Sequence, residues 1–276
     1  GDVYKRQVIN NALIQINDFR NSINLEPINL DDLDLDDKGV FALLQKGITT
    51  AVFQMESRGM REYLIKLKPN NFEDIIAMIA LYRPGPLEMK MVDTYIDRKN
   101  GIEKIDYSKD SEVEKILKST YGVIVYQEQV MQLAQEFSGF TLGQADILRK
   151  AMGKKIPEVM ESQRESFIEG AQNKNKVKRV AEDLWDQIET FAGYGFNKSH
   201  SAAYALISYQ TAWLKSHYPS QFMASALSSE LDDTDKIKIL IDDSHSLGLK
   251  INPPDINKSS KNFISLNEEN ILFGLG

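Results

Sequence analysis

Residues 193–201, GYGFNKSHS, place Asn197, Lys198, Ser199, His200 and Ser201 at the start of an otherwise apolar helical run, AAYALISYQTAWLK. The unsatisfied N–H groups of a helix's first turn favour an anion. Gly193 and Gly195 would let the backbone approach it closely. A plain N-cap at Ser199, worth roughly 1 kcal/mol, accounts for that serine alone. Lys198 and His200 beside it point to an anion site. Tyr194 and Phe196 can stack on a base or simply pack.

A second cationic group lies in LRKAMGKK, residues 148–155. Arg149 and Lys150 come late in one predicted helix, and Lys154 and Lys155 follow at its glycine end. Compensation of the helix dipole and phosphate binding account for them equally well. The first cluster tips the reading towards phosphate. Were the two helix ends to meet across a single groove, they would grip a triphosphate tail. FQMESRGM (53–60), YRPGPLE (82–88) and YGVIVYQEQV (121–130) are polar stretches in apolar surroundings. They carry Arg58 and, at a rigid turn, Arg83, for either of which an ion pair is the plain reading; the 121–130 stretch is open to both readings.

Other chemistries find less support. Asp32, Asp34 and Asp36 imitate the opening of a calcium loop, but its glycine and glutamate places hold Asp37 and Leu43. Acids at a helix N-terminus explain that run better. His200, His217 and His245 are scattered, no HExxH occurs, and there is no Walker A motif, GxGxxG or GxSxG. No metal site is expected within the chain.

The elements that must hold these residues read mostly as helix. Apolar periodicity predicts helices over 30–47, 72–82, 126–138, 177–192, 199–217 and from Pro219. Thr141 and Gln144 form a capping box for another, and Pro157 suits the first turn of the next, to about residue 171. Thr234 is expected to cap a last helix closed by Gly248. Short strands or loops are expected around 49–55 and 121–126, and the tail 250–276 reads as extended. The chain is therefore expected to be mainly α.

Bulk properties set the frame. The 276 residues are 42% hydrophobic, enough to bury a sizeable core. There is no cysteine, which fits a reducing, cytoplasmic setting. The longest apolar run, residues 75–81, is too short to span a bilayer, and no signal peptide is apparent. The net charge of −7 argues against a general nucleic-acid coat. Yet residues 141–180 hold nine Lys/Arg against five Asp/Glu, a basic segment in an acidic chain. A solvated helical face and a phosphate-facing surface both fit it.

AVFQMESRGM, ALYRPGPL, YGVIVYQEQVMQLAQEFSGFTLGQADILRKAMGKK, FAGYGFNKSHSAAYALISYQTAWLKSHYP and LKINPPDIN, in this order, resemble the bacterial family C replicative DNA polymerases. The similarity runs from about residue 8 to the end. It implies a fragment of a longer protein, with 8–48 a helical connection from the palm, 49–248 the fingers domain and 249–276 an extended link towards a helix–hairpin–helix region.

Residues 1–7, GDVYKRQ, depart from the family pattern where a catalytic strand belongs, and read as a non-native leader. Asp2 is therefore no catalytic aspartate. The resemblance implies template-directed DNA synthesis with two Mg²⁺ ions held by palm residues that this chain lacks. The fragment alone is expected neither to hold those ions nor to polymerise. Arg149, Lys150, Lys198, Ser199 and His200 match the residues near the incoming deoxynucleoside triphosphate. Lys150 stands where arginine is common, and His200 is a candidate proton donor to pyrophosphate. Arg83, Gln127, Lys154, Lys155, Tyr194 and Asn197 are further candidates for nucleotide or primer–template contact. The implied partners are DNA, the sliding clamp, a proofreading exonuclease and the clamp loader, with no membrane. The rival readings are a non-enzymatic helical module that binds nucleotide or nucleic acid, and a purely structural helical protein.

Overall fold

The computed structural model describes residues 2–154, 157–192 and 194–276. In chain order the helices are α1 (Asp2–Ser22), α2 (Lys38–Gln45), α3 (Arg58–Leu67), α4 (Phe72–Leu81), α5 (Pro84–Glu88), α6 (Met91–Lys99) and α7 (Ser111–Leu117). Then follow α8 (Gln127–Glu136), α9 (Leu142–Lys154), α10 (Pro157–Asn173), α11 (Lys178–Phe191), α12 (Lys198–His217), α13 (Pro219–Ser228) and α14 (Thr234–Ser246). The strands are β1 (Lys250–Asn252), β2 (Ile264–Ser265) and β3 (Asn270–Leu272). The chain is mainly α, as its periodicity predicts. It divides into two compact units, Gly1–Ile75 with Tyr204–Gly276, and Ile76–Ala203. The chain passes between them within α4 and α12.

The first unit is built around α13, whose residues from Ser220 to Leu227 are all buried. A helix apolar on every side must satisfy its few hydroxyls internally. Ser225 Oγ accepts a hydrogen bond from Gln15 Nε2 at 3.1 Å, and Ser220 Oγ lies 2.8 Å from Ser265 Oγ. Val8, Ala12 and Ile16 of α1 join Phe222, Met223 and Leu227 in one apolar cluster. The tail forms a sheet in the order β1-β3-β2, with β1 parallel and β2 antiparallel to β3.

Lys215, which the sequence presents as an ordinary cation near a helix end, has a fully buried side chain. It donates to Asp243 Oδ2 at 2.7 Å and to the Thr50 carbonyl at 2.8 Å. Burial lowers its pKa, against the pull of Asp243.

Several expected boundaries shift. The helix expected over 30–47 is a 3-10 turn at Leu30–Asp32 followed by α2. Asp37 interrupts it because its carboxylate accepts from Val40 N, making it a cap. Tyr209 fixes that segment: its hydroxyl donates to the Asp34 carbonyl at 2.7 Å and accepts from Asp37 N at 2.9 Å. Burial pushes this phenol up to about 12. The N-cap of α14 is Asp233, not Thr234. Residues 49–55 are turns, and 121–126 contribute only an isolated bridge. Residues 2–7 form the first turns of α1: Tyr4 Oη donates to Ser229 Oγ at 2.6 Å, and Lys5 pairs with Glu56 at 2.8 Å.

The second unit packs α8 against α9 and α10 against α11. Its core joins Phe137, Phe167 and Trp185. The first two rings stack at 5.9 Å, and Phe167 meets Trp185 at 5.5 Å. The predicted Thr141–Gln144 capping box is present: Gln144 Oε1 accepts from Thr141 N at 2.8 Å and Thr141 Oγ1 from Gln144 N at 3.3 Å. The break at Tyr82 and Arg83 is followed at once by α5, because Pro84 at its first position has the backbone angle a helix needs.

Candidate functional site

The loop that precedes α12 is held from two sides. On one side stands Arg83, the N-cap residue of α5. Its Nε donates to the Ala80 carbonyl at 2.8 Å and its guanidinium to the Tyr194 carbonyl at 2.9 Å. The same guanidinium lies 4.1 Å from the centre of the Phe196 ring, a cation–π contact. Burial pushes its pKa below the usual arginine value. Gly85, two residues on, has no side chain because the Tyr194 ring needs the space: a Cβ there would lie 2.1 Å from Tyr194 Cδ1.

On the other side stands the first turn of α8. Gln127 N donates to the Phe196 carbonyl at 3.0 Å and Gln127 Nε2 to the Gly195 carbonyl at 3.1 Å. Tyr126 and Phe196 form a parallel bridge. Gly195 fits closely here, since a Cβ would lie 2.6 Å from Phe191 Cε1. Glu128 completes the attachment: its carboxylate accepts from Lys198 N at 3.1 and 3.0 Å and from Asn197 Nδ2 at 2.8 Å.

Asn197, not Ser199, caps α12, because its Oδ1 accepts from His200 N at 2.8 Å. The helix also begins one residue earlier than expected, at Lys198. The N–H groups of Lys198 and His200 are therefore engaged. Asn197, Ser199 and His200 are exposed and Lys198 is half-buried, with its ammonium 5.4 Å from the Tyr126 ring centre. The His200 ring meets Phe196 edge-on at 5.2 Å.

The second cationic group sits on α9. Arg149 lies 2.8 Å and Lys150 2.7 Å from Asp146, one turn back on the same helix. The bonds from Lys150 and then Arg149 hold the Asp146 carboxyl below the usual carboxylate range. Lys154 is exposed at the end of α9. Lys155 and Gly193 lie outside the described residues. The structure thus brings Arg83, Gln127, Tyr194 and Asn197 together with Lys198 and His200, and gives Arg149 and Lys150 a common partner in Asp146. The two groups share a neighbour in α8, which grips the loop with its first turn and packs along α9.

Four other cations of the 141–180 segment stand in ion pairs: Arg164 with Asp186, Lys174 with Glu112, Lys176 with Asp110 and Glu112, and Lys178 with Glu182. A cavity of about 300 Å³ elsewhere in this unit is lined by Met89, Arg98, Ile124 and Thr190 among others. Its Arg98 and Asp186 are paired with Glu103 and Arg164. Among the described residues no three His, Asp or Glu side chains stand together as metal ligands, and no helix is long and apolar enough to cross a membrane.

Sequence reasoning missed Glu128. An acid in a helix's first turn reads as dipole compensation, and nothing in the string links it to an amide 70 residues away.

The chain is similar in sequence to known proteins. Residues 5–175 match the model of the bacterial DNA polymerase III alpha subunit finger domain. The chain is 50% identical over 273 residues to the DNA polymerase III subunit alpha of Escherichia coli K12, covering 98% of this chain and 24% of that protein. It is 51% identical over 273 residues to the subunit of Pseudomonas aeruginosa, covering 98% of this chain and 23% of that protein. With the subunit of Pasteurella multocida it shares 54% over 275 residues, 98% of this chain and 24% of that protein. The chain spans about a quarter of the length of these curated relatives. It belongs to the bacterial DNA polymerase III alpha subunit finger-domain family.

Proposed function

We propose that this chain is the fingers part of a replicative DNA-directed DNA polymerase, gripping the triphosphate of the incoming deoxynucleotide and contacting primer–template DNA. The observation that carries this reading is the latched loop: Arg83, Gln127 and Glu128 fix the backbone of residues 194–198, so that Lys198, Ser199 and His200 leave α12 from a set position. Phosphoryl transfer depends on positioning and on charges already in place. Arg149 and Lys150 supply positive charge from α9, with Asp146 as their partner until an anion arrives. The contacts to phosphate come from side chains, since two first-turn amides of α12 are occupied. His200 stands among them as the proton donor to the leaving pyrophosphate. Arg83, Gln127, Tyr194 and Asn197 shape the loop and line its approach, and Lys154 adds charge beside DNA.

The residues present do not fit the two Mg²⁺ ions of the family reaction. Glu128 is bonded to Lys198 N and Asn197, Asp146 to Arg149 and Lys150, and Asp37 to Val40 N and His217. The domain reading of a connection over 8–48, fingers over 49–248 and a link beyond belongs to the same proposal. So do a cytoplasmic location and the clamp, exonuclease and clamp-loader partners of the whole enzyme.

Titrating the chain with a deoxynucleoside triphosphate over a salt series tests the reading. Binding should weaken steeply with salt and fall on Lys198→Met or Arg149→Met. Salt-independent binding, or none, would contradict it.

A further inference from the structure

We infer that Glu128 is a positioning residue for the triphosphate site, an inference that rests on the phosphate-gripping reading of Lys198, Ser199 and His200. Its carboxylate is the point where two elements distant in sequence are joined. It accepts the first amide of α12, Lys198 N, with both oxygens, and Asn197 Nδ2 with Oε1. Asn197 in turn caps the helix through His200 N. One side chain therefore fixes the start of α12 through the backbone of Lys198 and the orientation of Asn197, and through them the exit directions of Lys198, Ser199 and His200.

The position of Glu128 is itself fixed. It is the second residue of α8, and the neighbouring Gln127 is bonded to the Gly195 and Phe196 carbonyls. A negative charge at a helix N-terminus is favourable without any ligand. The carboxylate thus holds the mouth of α12 in its folded arrangement before nucleotide arrives. It also closes the Lys198 amide to phosphate, which leaves the cationic side chains to make the contact.

Glutamine at 128 keeps an acceptor at Oε1, where one Lys198 bond and the Asn197 bond converge, and loses only the second Lys198 bond at Oε2, while alanine removes every bond. The experiment compares Glu128→Ala, Glu128→Gln and Lys198→Met in the full-length polymerase carrying this segment. It reads KM for the triphosphate, kcat and thermal unfolding.

Glu128→Ala should raise KM about 10-fold with a smaller effect on kcat, as expected when binding groups are displaced by less than 1 Å. Glu128→Gln should return KM to within about 3-fold of the parent, because the converging bonds survive. A folded Glu128→Ala variant with unchanged KM, beside a Lys198→Met variant whose KM rises, would overturn the role of Glu128 and leave the phosphate reading standing. A Glu128→Gln variant as impaired as the alanine variant would overturn positioning in favour of a need for the charge. An unchanged KM in Lys198→Met would overturn the phosphate reading and this inference with it. Should Glu128→Ala fail to fold, Asn197→Ala loosens the same attachment from the loop side, and an unchanged KM there overturns the inference equally.

Discussion

The Tyr194 ring lies directly on the backbone of Gly85, at a distance that leaves no room for even one methyl group: a Cβ at 85 would stand 2.1 Å from Cδ1 and 2.2 Å from Cε1. This contact ties the first turn of α5 to the loop before α12. Gly85→Ala should push the ring away and carry the loop with it, costing about 1–3 kcal/mol, the usual range for overpacking. Thermal unfolding measures the cost. In the full-length polymerase the same variant should raise the triphosphate KM.

The fully buried ammonium of Lys215 is paired with the Asp243 carboxylate at 2.7 Å. Asp243→Ala should destabilise the protein by about 3–5 kcal/mol, because it strands a buried charge. Lys215→Met should cost less, since methionine fills the same space and the Asp243 side chain retains 12% exposure to water. Urea unfolding of the two variants checks the order, and equal or reversed costs would contradict it.

Lys176 bridges to Asp110 at 2.7 Å and to Glu112 at 2.8 Å, with the Lys176 and Asp110 side chains only 18% and 15% exposed. Burial opposes both charges, yet the bond between them holds the Asp110 carboxyl below its ordinary 3.8 and the Lys176 ammonium above its ordinary 10.5. The signs follow from linkage. The acid's contribution is complete above 3.8 and is lost as pH falls through its lowered folded value; the lysine's is complete below 10.5 and is lost as pH rises through its raised one. Lys176→Met should therefore cost about 1–2 kcal/mol at neutral pH. The difference from the parent should stay flat from about pH 5 to 9 and shrink in acid. Chemical unfolding across pH measures it.

What the string made legible was local. Apolar periodicity located α4, α8 and α11 to within a residue or two, because one buried stripe such as Leu184, Trp185, Ile188 and Phe191 is a repeated signal. The Thr141–Gln144 box was legible because both partners sit within one turn. The break at Asp37 was not: its cap bond to Val40 N is local, but the Tyr209 and His217 contacts that hold Asp37 come from some 170 to 180 positions later.

The site divides in the same way. Lys198, Ser199 and His200 stand out by composition, whereas the bonds that hold their loop come from Arg83 and Glu128. Arg83 reads as a possible ligand in the string; in the fold its guanidinium is bonded to the Ala80 and Tyr194 carbonyls. Such long-range hydrogen bonds leave no periodic trace.

The central claim is that Lys198 and the Arg149–Lys150 pair grip one triphosphate. The most direct measurement is the triphosphate KM of the full-length polymerase with Lys198→Met and Arg149→Met, singly and together. The account predicts that each single change raises KM about 10-fold or more, as the loss of a charge-assisted contact should, and that the pair departs from simple additivity because both act on the same ligand. A KM unchanged by either substitution, in a folded and otherwise active enzyme, would contradict it.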